Sequence, residues 1–131
     1  MTHCTCGSAR PERKCCGPIL AGKKLAETPE ALVRARFTAF ARGDLEFLVA
    51  SCHPKTVCRF DPEVNRSWAE QSEFHGLEIV ACRPGAAADS AIVEFRAAFT
   101  SDGMRRQHHE ISEFRRVDGR WTFYDGKRPG D

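Results

Sequence analysis

Four of the seven cysteines of this chain lie within its first sixteen residues. They are Cys4, Cys6, Cys15 and Cys16, and the turn-forming residues 7–11 separate the first pair from the second. Adjacent Cys15 and Cys16 are poorly placed to close two disulfides in so short a loop, whereas four thiolates can surround one tetrahedral ion. The spacing therefore predicts a zinc knuckle in which all four cysteines are ligands and zinc is the cofactor.

Basic side chains surround this cluster. Residues 1–27 carry five basic and two acidic side chains, although the net charge of the whole chain is only +2. Arg10, Arg13 and Lys14 lie closest to the cysteines in the sequence, and we expect them to offset the negative charge of a four-thiolate site. The remaining three cysteines stand alone and are expected to be small, buried side chains: Cys52, Cys58 and Cys82.

The length and composition indicate one main hydrophobic core. The 131 residues suffice for one ordinary domain with a small appendage, and a composition of 41% apolar and 29% charged residues is typical of a soluble globular protein. No apolar run approaches the roughly 20 residues that span a bilayer, so we expect no membrane span. The N-terminal residues lack the features of a secretory signal, which predicts a cytoplasmic protein.

Helical spacing begins after residues 17–27, whose glycines and proline suggest a hinge. Thr28 is a good N-cap, and Pro29 suits the first position of a helix. Apolar residues then recur with a helical period until Gly43, which is a typical C-cap. This pattern predicts an amphipathic helix over 29–42.

Asp44 can cap a second, shorter helix over 45–51. The buried residues of this helix are expected to be Leu45, Leu48 and Val49. Residues 55–74 are harder to place, although residues 67–71 could open another short helix.

From His75 onward the hydrophobic period changes to two, which predicts four antiparallel strands. Asp102-Gly103 and Asp118-Gly119 predict two-residue hairpin turns of type I′, because this turn needs positive φ at both central residues. One face of the sheet is then apolar and must be covered by the helices. The expected fold class is α+β, with N-terminal helices packed on a curved antiparallel sheet.

The registers set by these two turns place four polar side chains on the apolar face: His108, Glu110, Ser112 and Asp125. Asp125 is expected directly opposite Ser112, and His53 could reach the same pocket from the end of the second helix. A buried carboxylate must be paired, hydrogen-bonded or hydrated. Three interpretations stay open, namely a structural hydrogen-bond network, a small-molecule pocket and general acid–base catalysis, and no catalytic residue is assigned.

The N-terminal residues closely resemble the SEC-C motif, the zinc-binding tail of the bacterial SecA translocation ATPase, through CTCGSAR at 4–10 and CCG at 15–17. Ala9 stands where that motif usually has a glycine. Three further runs resemble the YchJ-type family of small uncharacterised bacterial proteins, namely TPEAL at 28–32, CHP at 52–54 and HEISEF at 109–114. The resemblance implies a SEC-C knuckle at 1–17, a linker at 18–27, and a cone-shaped, nuclear-transport-factor-two-like domain at 28–131.

The leading functional hypothesis is a non-enzymatic interaction module whose basic zinc knuckle docks on an acidic protein surface. For the SecA tail, the resemblance implies binding of the SecB chaperone and of anionic surfaces. The alternative is a small-molecule-binding protein or enzyme that uses a polar pocket in the cone. Nucleic-acid binding is less favoured because no aromatic side chain lies among the N-terminal basic residues. Three apolar side chains interrupt the outer sheet face and could mark a contact with the zinc knuckle or with a second subunit, so a homodimer is possible: Ile92, Ile111 and Tyr124.

Overall fold

The computed structural model describes residues 3–129, which form an α+β fold as the sequence predicts. Within this range the helices are α1 (Cys16–Leu20), α2 (Pro29–Arg42), α3 (Leu45–Ala50) and α4 (Pro62–Gln71). The strands are β1 (Ser72–Pro84), β2 (Ser90–Ser101), β3 (Met104–Val117) and β4 (Arg120–Lys127), and they form one antiparallel sheet in sequence order. None of the helices in the described range is long and apolar enough to cross a membrane.

Helix α2 forms as its capping residues predict. The Thr28 hydroxyl accepts a hydrogen bond from the backbone N–H of Ala31 at 3.1 Å, and Pro29 is the first helical residue. Gly43 ends the helix with φ of +70°, in the left-handed region that glycine adopts without strain. The predicted bounds of 29–42 are confirmed, and the apolar face of the helix is buried against the sheet and the N-terminal segment.

Helix α3 is capped by Asp44 as predicted, since its carboxylate accepts a hydrogen bond from the backbone N–H of Phe47 at 3.1 Å. Leu48 is completely buried, but the prediction for Val49 is wrong because this side chain is 38% exposed. Phe47 packs against the core instead. A helix of only six residues has a narrow buried face, and the packing partners decide which side chains lie on it.

Helix α4 begins five residues earlier than the suggested start at Ser67. The Asp61 carboxylate accepts hydrogen bonds from the backbone N–H groups of Glu63 and Val64, and Pro62 occupies the first helical position. Asp followed by Pro is the same kind of start signal as Thr28-Pro29, so this boundary was available from the sequence.

The two predicted hairpin turns have the required geometry. Asp102 and Gly103 have φ of 53° and 71°, and Asp118 and Gly119 have φ of 51° and 78°. The predicted register between β2 and β3 is confirmed over its whole length, including Phe95 opposite Glu110.

The predicted register between β3 and β4 is correct only near its turn. Phe114 lies opposite Phe123, but a bulge at Tyr124 shifts the pairs beyond it by one residue. Gly126 therefore lies opposite Ser112, and the prediction that Asp125 occupies this position is wrong. Next to the bulge, the free edge of β4 forms hydrogen bonds with the segment after α3: Phe123 N to Ser51 O and His53 N to Phe123 O, both 2.8 Å.

Two hydrophobic clusters fill the space between the sheet and α2. One contains the four N-terminal cysteines with Ala35, Phe37 and Ala97, and the other contains Leu32, Val33, Val93 and Phe114. Ile19 packs against both clusters, and Ala26 is buried in the second. The segment that was expected to be a hinge therefore includes most of α1 and contributes three side chains to the core: Ile19, Leu20 and Ala26. The predicted domain boundaries remain a prediction.

Because of the bulge at Tyr124, the stability of the protein should depend on the size of the side chain at position 126. A Cβ atom at Gly126 would lie 2.6 Å from Oε2 of Glu110, whereas one at Gly76, also within a strand, would meet nothing within 4 Å. We expect Gly126→Ala to lower the free energy of unfolding by about 1–3 kcal/mol, because it must displace a hydrogen-bonded carboxylate. Gly76→Ala is the matched control and should change stability by less than about 0.5 kcal/mol. Equal effects of the two variants in urea denaturation would contradict the shifted register.

Candidate metal centre and cavity

The sulfur atoms of Cys4, Cys6, Cys15 and Cys16 lie within 4.8 Å of one another. Sγ of Cys6 is 3.6 Å from Sγ of Cys15, which in turn is 3.9 Å from Sγ of Cys16. All four side chains are buried, and all four are free thiols rather than disulfides. The structure therefore converges the four predicted ligands into one cluster that could hold a metal ion.

The backbone of residues 3–17 reverses tightly to bring the two cysteine pairs together. The N–H of Cys4 donates to the carbonyl of Arg10 at 2.7 Å, and the N–H of Gly7 donates to the carbonyl of Cys4 at 3.1 Å. The turn needs positive φ at Gly7, at 82°, and at Ala9, at 66°. Gly17 passes so close to Glu12 that a Cβ atom there would lie 2.9 Å from the Glu12 carbonyl oxygen. A glycine is thus needed directly after the second cysteine pair.

The thiols of the cluster ionise unequally. The hydrogen bond that Cys16 donates to the Cys6 sulfur is the chief cause that lowers the pKa of Cys6 to about 4. The same hydrogen bond, together with burial, raises the pKa of Cys16, and burial raises the pKa of Cys15. The cluster therefore favours a thiolate at Cys6 at neutral pH, and the thiolate is the form in which cysteine binds metals.

Donor groups outside the four ligands face the sulfurs. Nη1 of Arg34, on α2, donates to the carbonyl of Cys6 at 3.0 Å and lies 3.8 Å from its Sγ. Nη2 of Arg10 and Oγ of Ser8 lie 3.7 Å and 3.1 Å from Sγ of Cys15. Such donors offset the charge of metal-bound thiolates and fix their orientation.

The sequence identified only part of this donor shell. All three expected basic residues are exposed, and of these Arg10 approaches Cys15, whereas within residues 3–129 Arg13 and Lys14 donate no hydrogen bond to a cluster sulfur. Arg34 was missed because it comes from a separate element, 28 residues after Cys6. Arg34 faces the knuckle because of the way α2 packs against it, and a local sequence pattern does not predict that packing.

The buried hydroxyl of Thr38, on α2, also indicates that the cysteine cluster could hold a metal ion. Its side chain is completely buried, and within residues 3–129 its hydroxyl oxygen has no hydrogen-bond partner of ordinary geometry. The hydroxyl faces Cys16, where it acts to lower the pKa of that thiol and so favours the thiolate. A buried hydroxyl needs an acceptor, and a metal-bound Cys16 thiolate would provide one. The donor set and its surroundings therefore fit a metal ion.

A second feature is a cavity of about 640 Å³ between α2, α4 and the sheet. Most of its lining is aromatic or aliphatic, and its polar wall includes Arg36, His108, Glu110 and Ser112. Nε2 of His108 donates to Oε1 of Glu110 at 2.8 Å, and the Ser112 hydroxyl donates to Oε2. The alternation of β3 places these three side chains on the same face of the strand.

Glu110 is ionised within this wall. Burial acts to raise the pKa of Glu110, but the hydrogen bonds from His108 and Ser112 and the charges of His108 and Arg36 outweigh it, so the pKa lies below its ordinary value. Arg36 is 8% exposed, and burial lowers its pKa, although an arginine stays protonated at neutral pH. Its Nη1 donates to the Leu48 carbonyl at 2.9 Å and to the Ser51 hydroxyl at 2.5 Å.

The other two pocket candidates do not join this group. Asp125 is exposed at the mouth of the cavity, where its carboxylate accepts a hydrogen bond from the N–H of Gly126 at 3.0 Å. His53 lies outside the lining, with its ring 5.0 Å from that of Tyr124 and its Nδ1 accepting from the Lys55 N–H at 3.0 Å. Burial and the charges of Arg115 and Lys55 lower the pKa of His53.

The isolated cysteines differ from one another. Cys52 is buried as expected, and its thiol donates to the Leu48 carbonyl at 3.2 Å. The expectation is wrong for Cys58 and Cys82, which are exposed. Cys58 lies in the 55–74 region, where the sequence contains no clear periodicity of buried residues. Cys82 lies at the C-terminal end of β1, where residues 82–84 are all exposed.

Comparisons with known proteins extend over nearly the whole chain. Residues 28–126 match the family described as "YchJ, middle NTF2-like domain". A UPF0225 protein of Geobacter sulfurreducens is 42% identical over 96% of this chain and 80% of the relative. The solution structure of a SEC-C motif containing protein from Rhodopseudomonas palustris is similar with a TM-score of 0.88, at 38% identity, over 97% of this chain and 98% of that chain. A crystal structure of a SEC-C motif containing protein from Psychrobacter arcticus is similar with a TM-score of 0.82, at 28% identity, over 95% and 81%.

The positive φ at Ala9 predicts a stabilising substitution. Ala9→Gly should raise the free energy of unfolding of the metal-loaded chain by up to about 1 kcal/mol, because glycine removes the steric cost of the left-handed conformation. Ala41→Gly, at an exposed position of α2, is the matched control and should lower it by about 1 kcal/mol. Thermal and urea denaturation would measure both changes, and destabilisation by Ala9→Gly would contradict the predicted turn geometry.

Proposed function

The chain belongs to the UPF0225, YchJ-type family, which combines a SEC-C motif with an NTF2-like domain. We propose that it binds one zinc ion through its four N-terminal cysteines and that the resulting zinc knuckle docks on an acidic protein surface.

The spacing of the sulfurs is the observation that carries the zinc assignment. Zinc–sulfur bonds are about 2.3 Å long, and the corners of a tetrahedron with that radius are about 3.8 Å apart. Two of the Sγ separations, 3.6 Å and 3.9 Å, match this value, and all four sulfurs lie within 4.8 Å of one another. A closed set of four thiolates is typical of structural zinc sites, because it leaves no position for water or substrate. The ion would thus organise the fold of the knuckle rather than perform chemistry.

Charge on the outer surface of the knuckle supports an acidic partner. The one acidic residue of the 1–17 segment, Glu12, forms an ion pair with Arg42 of α2. Arg13 and Lys14 are exposed, and within the described residues neither forms an ion pair. The surface that remains available is therefore basic, and it would attract an acidic protein surface.

The attachment of the knuckle to α2 makes this surface a rigid one. Arg34 bridges Glu30 and Cys6, through hydrogen bonds of 3.1 Å and 3.0 Å, and Arg42 bridges to Glu12. A rigid binding surface loses less conformational entropy on association than a flexible tail. The proposal also places the protein in a reducing compartment such as the cytoplasm, where the four thiols stay available to the metal.

We expect one zinc ion per chain in protein purified under reducing conditions, measured by mass spectrometry under native conditions. Cys6→Ser should abolish zinc binding, whereas Cys58→Ser, which changes an exposed thiol outside the cluster, should not. Removal of zinc should disorder residues 3–16, since so short a segment has little core of its own, and leave the remainder folded with a lower melting temperature. Full zinc content in Cys6→Ser would overturn the assigned ligands.

The partner is tested by charge reversal. Immobilised zinc-loaded protein should retain acidic proteins from a bacterial lysate, and the double variant Arg13→Glu/Lys14→Glu should lose them because it repels acidic surfaces. The matched control Lys55→Glu/Arg83→Glu makes the same charge change at exposed positions outside the knuckle. Retention that is equal for the two double variants, or unchanged after zinc removal, would contradict docking through the knuckle.

A further inference from the structure

The cavity between α2, α4 and the sheet has the size and lining of a small-molecule site. Its volume of about 640 Å³ lies within the range of known ligand pockets. Packed aromatic rings form much of its wall, among them Trp68, which lies 5.3 Å from Phe74 and 5.6 Å from Phe99 between ring centroids. Such a surface favours a flat or ring-shaped apolar body, since rings pack edge-to-face with other rings.

The polar wall has hydrogen-bonding capacity that its protein partners do not use up. Each carboxylate oxygen of Glu110 accepts one hydrogen bond, from His108 or from Ser112, and can accept another. Every hydrogen bond that the Arg36 side chain donates within the described residues comes from Nη1, so its Nε and Nη2 atoms donate none. A ligand here can therefore both donate and accept.

This wall contains charges of both signs. The Glu110 carboxylate is negative and the Arg36 guanidinium is positive, and both line the cavity. A ligand carboxylate would be repelled by Glu110 and a ligand ammonium by Arg36, and either would lose its hydration on entry. The charged groups at the mouth, Arg59, Arg128 and Asp125, are exposed, so water screens them.

We propose that the cavity binds an uncharged ring compound that carries a hydroxyl group, with the ring against the aromatic wall and the hydroxyl between Glu110 and Arg36. A hydroxyl is the smallest uncharged group that donates and accepts at once, and it matches a carboxylate beside a guanidinium. This assignment is independent of the metal site and of any protein partner, because it rests on a different face of α2.

The test uses three probes with the same ring system and different polar groups: naphthol, naphthoate and naphthylmethylammonium. Each is titrated into the full zinc-loaded chain at neutral pH, and binding is followed by ¹H–¹⁵N NMR shifts. We expect naphthol to bind at least about tenfold more tightly than the two charged probes and to shift the signals of Glu110, Ser112 and Phe95. Stronger binding of either charged probe, or no cavity shifts with any probe, would overturn the proposal.

Variants separate a ligand role of the polar wall from a structural one. Glu110→Gln keeps the shape of the side chain and removes its charge, so it should weaken naphthol binding and reduce the discrimination against naphthoate. Ala97→Leu should fill the cavity and abolish binding, and Ala98→Leu, on the other face of β2, is its matched control. NMR spectra and melting curves establish that each variant is folded. Unchanged probe selectivity in folded Glu110→Gln would contradict the assigned hydroxyl position, and unchanged binding in folded Ala97→Leu would exclude the cavity.

Discussion

The convergence of four buried sulfur atoms on one point organises the N-terminal part of this protein. Residues 3–15 form turns, one β-bridge between His3 and Pro11, and a short 3₁₀ segment at Glu12–Lys14, so they bury too little apolar surface to fold alone. Their order depends on the cysteine cluster and on its packing against Ala35, Phe37 and Ala97. A metal ion bound by the cluster would supply the free energy that a larger core supplies in ordinary domains.

Helix α2 connects this cluster with the cavity. Arg34 and Arg36 are two residues apart, and side chains with that separation point to nearly opposite sides of a helix. Arg34 accordingly hydrogen-bonds the carbonyl of Cys6, whereas Arg36 extends under the ring of Phe123 and lines the cavity. The buried length of the same helix also supplies Thr38 to the cluster and Val33 to the cavity lining. Its position therefore determines the geometry of both sites.

Glu110 shows how the sheet accommodates a buried charge. A carboxylate in an apolar environment costs several kcal/mol unless it is hydrogen-bonded and compensated. Here the neighbours at two residues before and after it, His108 and Ser112, each donate to one of its oxygens. The bulge at Tyr124 adds space, because it brings Gly126, which has no side chain, opposite Ser112 and next to Glu110. The hydrogen-bonded group of His108, Glu110 and Ser112 thus comes from β3, and the bulge in β4 provides the space that it occupies.

The sequence by itself determined those elements that form through interactions between residues close together in the chain. The cysteine spacing predicted the cluster, Thr28-Pro29 and Gly43 predicted the bounds of α2, and the Asp-Gly pairs predicted two turns and one complete register. Only the tertiary structure decided the bulge at Tyr124, the exposure of Asp125, and the approach of Arg34 and Thr38 to the cysteines. These features depend on contacts between segments that are distant in the chain, and periodicity and capping residues carry no information about such contacts. The cavity belongs to the second group for the same reason, since its walls come from α2, α4 and all four strands, which a linear pattern cannot place against one another.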